Sequence, residues 1–225
     1  MPVADSRTNT APRIDPLILD DLAPGDPEGL DAHGSYEGVR WDQLSTEGRD
    51  LSGIDVSECE FVDWNANETQ LRGARLREVR IERMNAPVFT APRVTLRDVE
   101  ISGSRFGSAE LYESELRAVT ITGSKFGWAN LRGAEVTDVV FRGCVFDELD
   151  LGGSRIERVA FVDCTVERIV ATGAKARHLD LRGAEIRAVD GLEGLRGSIL
   201  THTQLASMTQ LFANHFGIEA GDERP

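Results

Sequence analysis

Phe126-Gly127-Trp128-Ala129-Asn130-Leu131-Arg132-Gly133-Ala134-Glu135-Val136 places apolar residues five apart, at Phe126, Leu131 and Val136. The phase continues in both directions without a slip. It reaches back through Leu71, Phe61 and Val56 to Leu51, and forward through Phe146, Phe161 and Leu181 to Ile186. A step of five fits neither regular element: it scatters around a helix, and on a flat strand an odd step changes face every time. A chain that turns a corner every five residues buries all of these positions. In a chain that is 40% hydrophobic, so long an unbroken run arises by chance about once in roughly 10¹¹ trials, so the repeat is read before any secondary structure.

Let the apolar position be i. Between residues 49 and 188, glycine falls only at i+1 (Gly107, Gly127, Gly152) or at i+2 (such as Gly53, Gly73, Gly133 and Gly173). Glycine takes positive φ without a Cβ penalty, so i+1 and i+2 are corners and the other three positions form a short straight side. Position i−2 holds small or aliphatic residues, among them Ala74, Val79, Ser104 and Ala129. Period-two alternation puts i−2 and i on the same, inward side. A second period, of twenty, aligns Val79, Val99, Val119, Val139, Val159 and Leu179 in one column and Phe106, Phe126 and Phe146 in another. Four sides of five residues make a square coil stacked on itself, an all-β solenoid.

These features resemble the pentapeptide-repeat family, whose unit is A-(D/N)-L-x-x. Ala129-Asn130-Leu131-Arg132-Gly133 is a close copy; Ser104-Arg105-Phe106-Gly107-Ser108 and Ala184-Glu185-Ile186-Arg187-Ala188 are looser ones. The resemblance covers about residues 36–200. It implies a right-handed quadrilateral β-helix, here of seven to eight coils, and a bacterial source. At about 4.8 Å per rung, seven coils make a rod of roughly 34 Å. Met84–Pro92 carries two prolines and the undersized Ala86 and Ala91 at i. A bulge or distorted corner is expected there, because proline is confined to turns and edges of β-structure.

The phase divides the chain into a tail with a cap (1–35), the β-helix (36–200), a C-terminal helix (201–217) and a short tail (218–225). Met1–Pro12 lacks periodicity and is expected to be disordered. Pro16-Leu17-Ile18-Leu19 with Leu22 is expected over the open edge of the first coil. Tyr36 and Trp41 fall in phase, and the phase fails at Gly191 and Arg196. Beyond it, Leu205, Met208, Leu211, Phe212 and Phe216 form a stripe at helical spacing, with Thr201 or Thr203 to start the helix and Gly217 to end it. The stripe has two readings: it seals the bottom of the rod, or it is the C-terminal-helix homodimer contact that the family resemblance implies.

The N-terminus has neither the basic nor the apolar region of a signal peptide, and no apolar run approaches the ~20 residues of a bilayer span. A cytoplasmic protein without membrane attachment is expected. Three cysteines make no disulfide framework. Cys59, Cys144 and Cys164 all fall at i−2, and no histidine shares their column to complete a metal site. His33, His178, His202 and His215 lie in the tail, at a corner and in the helix. No catalytic or cofactor-binding constellation follows, and the glycines at fixed phase are corners rather than a nucleotide loop. The expectation is a non-enzymatic protein-interaction scaffold.

The family resemblance also implies a second function, mimicry of DNA toward DNA gyrase. The net charge of −13 invites it, but its distribution does not. Residues 49–188 carry 20 Lys+Arg and 23 Asp+Glu, a net of −3; residues 1–48 carry −7 and residues 189–225 carry −3. A 34 Å stretch of duplex carries about 20 negative charges. The acidic residues best placed for a protein partner are Glu110, Glu113, Glu115, Glu135, Glu148 and Asp150, interrupted by Arg132 and Arg155. A basic column of Arg77, Arg97, Arg117 and Arg177 is too sparse to predict direct nucleic-acid binding.

Overall fold

The computed structural model describes residues 10–219 and Gly221. Of Met1–Pro12, where disorder is expected, residues 1–9 lie outside those described, as do Ala220 and residues 222–225 of the terminal tail. The chain forms a parallel all-β solenoid whose strands pair with those twenty residues away, in register. Val79, Val99, Val119, Val139, Val159 and Leu179 stand one above another. Eight-residue strands such as Asp55–Val62 and Glu115–Thr122 bend across the first two walls of the coil and make an 11-stranded sheet. Shorter strands such as Arg105–Glu110 and Lys125–Asn130 form the third and fourth walls as a 6-stranded sheet. The ladder outruns the five-residue phase. Ala23–Pro24 adds a rung before it and Ser198–Ile199 one after it, so the stack has about nine turns.

The corners obey the sequence phase. Between Gly38 and His178 every residue of positive φ lies at i+2, and these include Glu58, Asp98, Ala118 and Arg158 as well as glycines. A left-handed conformation costs a non-glycine residue about 1–2 kcal/mol, so glycine at Gly133 or Gly153 answers a backbone demand. The i+1 glycines answer a different one. A Cβ on Gly127 would lie 2.5 Å from the carbonyl oxygen of Gly107, and one on Gly107 would lie 2.5 Å from that of Pro87.

The expected bulge at Met84–Pro92 does not form. Asn85–Thr90 pairs in register with Arg105–Glu110. What changes there is the corner between the third and fourth walls. Gly48 and Glu68 are left-handed in the first two coils, whereas Val88 and the residues above it are not. The undersized alanines are absorbed inside the coil by exchange of volume. Where i is Ala66, Ala86 or Ala91, position i−2 carries Trp64, Met84 or Phe89; where i is Phe106, Phe126 or Phe146, i−2 carries Ser104, Ser124 or Cys144. The exchange is incomplete, and an apolar cavity of about 30 Å³ remains beside Phe89, Ala91 and Leu111. Above it Phe106, Phe126 and Phe146 stack at 4.6 and 4.8 Å, close to the inter-strand spacing of the rungs.

Both ends are closed. Leu30 is 1% exposed inside the first coil. Around it, Trp41 Nε1 donates to the carbonyl of Asp26 at 3.1 Å, the Tyr36 hydroxyl donates to that of Gly29 at 2.6 Å, and Arg49 donates to that of Leu30. The cap is therefore built from residues just before Tyr36, not from the Pro16–Leu22 run. At the other end the chain makes two short helices, α1 (His202–Ser207) and α2 (Thr209–His215), broken at Met208. Thr201 and Gln204 form a capping box, and Gln204 Nε2 also donates to the carbonyls of Leu181 and Ala184, both at 2.7 Å. The helix start is thus tied to backbone acceptors of the last coil, the Leu181 carbonyl also accepting the Ala184 N–H at 3.0 Å. Among the described residues no helix is long and apolar enough to cross a membrane.

Candidate protein-binding walls

Each side of the coil presents one outward residue, at i−1, flanked by corner side chains. The six acidic residues singled out from sequence spread over the fourth wall, its two corners and the first wall. Glu110 and Asp150 are outward residues of the fourth wall, and Glu115 pairs in register with Glu135 on the first. Glu113 and Glu148 occupy corners. Arginine reaches four of the six: Arg93 Nε lies 2.8 Å from Glu113, Arg155 Nη1 2.8 Å from Glu135, Arg132 Nη1 3.2 Å from Asp150 and Arg168 Nε 3.9 Å from Glu148. Each of these pairs joins residues about one turn apart, so the coil period neutralises the surface. The exposed pairs, those of Glu113, Glu135 and Glu148, contribute about 0–1 kcal/mol each.

Asp150 has a further use. It is 6% exposed, and its Oδ1 accepts the Gly152 N–H at 2.8 Å. Asn130 does the same for Arg132 N at 3.1 Å. Both are turn-closing side chains, of the kind by which Asx residues tie down a turn two residues on. Glu110 and Glu115 have no cation within ion-pair distance among the described residues. Trp128, half-buried at the corner between the third and fourth walls, sits beside this set in register with Ser108 and Glu148. The basic column is present as exposed side chains: Arg77, Arg97 and Arg117 occupy successive rungs.

The second wall differs from the others. Its lower part is an alternating ladder: Arg40 Nη1 lies 2.7 Å from Glu60, Arg80 Nη1 3.5 Å from the same carboxylate, and Arg80 Nε 3.1 Å from Glu100. Its upper outward residues are uncharged: Thr120, Val140 and Ala160. Along this wall runs the N-terminal segment, residues 10–22. Arg80 Nη2 donates to the Leu17 carbonyl at 3.0 Å, and the Arg13 N–H donates to Asp138 Oδ1 at 3.0 Å. Arg80 and Asp138 are about three rungs apart. Four residues span that distance only when extended, at about 3.3–3.6 Å each. The Pro16–Leu19 run expected over the end of the coil therefore lies lengthwise on its wall. Ile14, Leu17, Leu19 and Leu22 are half-buried, whereas Ile18 is 73% exposed. Asp138 and Glu60, which the phase keeps out of the interior, are only 6% and 7% exposed.

Asp138 titrates below the usual carboxylate range. Burial opposes ionisation, but hydrogen bonds from Arg158 and from the Arg13 N–H outweigh it. Arg158 itself is held protonated chiefly by its hydrogen bond to Asp138. The three cysteines are free and buried. The Cys144 thiol is pushed up, first by its hydrogen bond with Cys164 and then by burial. Burial raises Cys59 as well.

The helical stripe divides. Met208 is 4% exposed, and Leu211 and Phe212 pack partly against the core, while Leu205 and Phe216 are 41% and 70% exposed. Sequence reasoning missed the second wall, although its signal was present: three consecutive turns of an otherwise charged outward column carry Thr120, Val140 and Ala160. It also passed over Trp128.

The family model described as pentapeptide repeats (9 copies) matches residues 121–165. Among solved structures, trypsin-treated QnrB1, a plasmid-mediated fluoroquinolone resistance protein, is 18% identical with a TM-score of 0.40, covering 88% of this chain and 95% of its own. Full-length QnrB1 is 16% identical at a TM-score of 0.31, with coverage of 84% and 94%. HetL, a pentapeptide-repeat protein involved in heterocyst differentiation regulation from the cyanobacterium Nostoc sp. strain PCC 7120, is 18% identical at a TM-score of 0.25, covering 75% of this chain and 90% of its own. Comparison with curated proteins gives no match. The five-residue unit that the pentapeptide-repeat model meets at residues 121–165 is the unit that the ladder of strands repeats from Tyr36 to Leu181.

Proposed function

We propose that the protein is a non-enzymatic rod that presents flat walls of outward side chains to a protein partner. The observation that carries this reading is the in-register ladder, which fixes every outward residue in a column of constant spacing along a rigid surface. The fourth wall, with Glu110, Glu115 and Trp128 at or beside it, is the candidate partner face. Aromatic residues in a charged surround are the usual anchors of such contacts. Glu113, Glu135, Glu148 and Asp150 belong to its ion-paired margin. A catalytic turnover that a single polar substitution abolishes would overturn the reading.

DNA mimicry toward gyrase is the competing reading, motivated by the family. The arginines on Glu113, Glu135, Glu148 and Asp150 argue against it, because a mimic must leave its acids available to a basic saddle. A supercoiling assay with purified gyrase separates the two. The scaffold reading predicts no inhibition and no protection from quinolone; inhibition lost on replacing Glu110 and Glu115 would establish mimicry instead.

The exposed Leu205 and Phe216 support a second copy of the chain docking at the C-terminal end. Sedimentation tests this: Phe216→Ser should convert a dimer to a monomer, and a wild-type monomer would contradict it.

A further inference from the structure

The segment on the second wall is held in an unusual way. Residues 10–22 lie extended across several coils, yet among the described residues only two hydrogen bonds tie this stretch to the wall, one from Arg80 and one to Asp138. Its apolar side chains are half-buried rather than buried, and Ile18 faces out. Segments with few buried contacts and few backbone bonds open at low free-energy cost while the rest of the fold persists. The wall beneath is matched to such an occupant. Thr120, Val140 and Ala160 make an uncharged strip, and Arg80 and Asp138 offer a donor and an acceptor to a passing backbone.

We infer that the second wall is a binding face for an extended peptide, and that residues 10–22 are its tethered, displaceable occupant. The partner that fits is an unstructured segment with apolar residues spaced like Ile14, Leu17 and Leu19, a free carbonyl for Arg80 and a free N–H for Asp138. The inference rests on the scaffold reading and names one of its walls. Because the strap is attached to the same chain, it competes at an effective concentration of order millimolar. A partner therefore has to exceed that, or bind after the strap has been released.

The test uses the full chain. Ile14→Ser, Leu17→Ser and Leu19→Ser together weaken the strap and leave the wall untouched. A fluorescein-labelled peptide of residues 10–22 is then titrated against this variant and against the wild type. The expected result is saturable binding to the variant, at least about tenfold weaker binding to the wild type, and loss of binding when Arg80→Ala and Asp138→Asn are added. Absence of binding to a folded variant, or equal binding to both proteins, overturns the inference. If the variant does not fold, hydrogen exchange of the wild type decides. The Arg13 amide, hydrogen-bonded to Asp138, exchanging far faster than the amides of Glu115–Thr122 supports the inference, and equal protection overturns it. A failed complex contradicts this inference alone. The scaffold reading is tested separately, by partner capture with variants at Glu110, Glu115 and Trp128.

Discussion

Arg158 and Asp138, one turn apart, meet side-on: Nε lies 2.6 Å from Oδ1 and Nη2 2.8 Å from Oδ2. The same Oδ1 accepts the Arg13 N–H. One carboxylate thus joins two coils to each other and to the N-terminal strap. Its pKa is lowered in the folded protein, so its contribution is present above the unfolded value of about 3.9 and is lost as pH falls through the lower folded value. The strap should loosen below about pH 4, before the coil opens. Exchange of the Arg13 amide against pH measures this. Asp138→Asn should abolish the dependence, and strap protection unchanged into strong acid would contradict the assignment.

The exchange of volume between i and i−2 predicts coupling. Ala91→Leu alone competes with Phe89 for space that the adjoining cavity of about 30 Å³ only partly supplies, and should cost about 1 kcal/mol. Phe89→Ala alone should cost about 3–5 kcal/mol. The double variant recreates the Ala109/Leu111 arrangement of the next turn and should be more stable than the sum by about 1 kcal/mol or more. Denaturant melts of the four proteins read the coupling, and simple additivity would count against compensation.

The two kinds of corner glycine should respond differently. Gly153 has φ +66 and open space around it, so Gly153→Ala should cost only the left-handed penalty of about 1–2 kcal/mol. Gly127→Ala places a Cβ against the Gly107 carbonyl and forces backbone apart; its loss should be the larger. Conversely, Ala118→Gly removes a left-handed alanine, φ 54, and should stabilise by a few tenths to about 1 kcal/mol. A drop in melting temperature for Ala118→Gly would contradict this account of the corners.

Phe126 lies between Phe106 and Phe146 in the interior stack. Phe126→Asp buries an unpaired charge at a cost of several kcal/mol. Because a solenoid is held by neighbouring turns, the damage should begin in the adjacent coils. Unchanged thermal stability would mean that the inward phase is wrong.

Most of the interior is legible in the sequence because it is periodic. Leu51 through Ile186 state the inward positions, and the glycines at i+2 state the corners. What the period does not carry is less legible. Residues 10–22 have no phase, so nothing in their own spacing says whether they cover an end or a wall; the decision lies with Arg80 and Asp138, far away in sequence. Leu30 is a single apolar residue among Asp, Glu and Gly, and its place inside the first coil depends on Trp41, Tyr36 and Arg49 enclosing it. Of the bulge or distorted corner expected at Met84–Pro92, the strand stays in register and only the corner changes, at Val88, while Trp64, Met84 and Phe89 fill the space that small residues at i leave. On the outer face, the acidic set was legible as charge but not as pairing, because ion pairs such as Arg155 with Glu135 need the twenty-residue stacking as well as the residue types.

Partner capture with wall variants tests the central claim most directly. The intact chain is compared with Glu110→Lys/Glu115→Lys, with Trp128→Ala, and with a third-wall control away from this set, Thr165→Lys, at matched melting temperature. A rod that works by presenting its walls should retain one partner protein that the control also retains and that the Glu110/Glu115 or Trp128 variant loses. Capture unaffected by all of these substitutions, in proteins that remain folded, would contradict it.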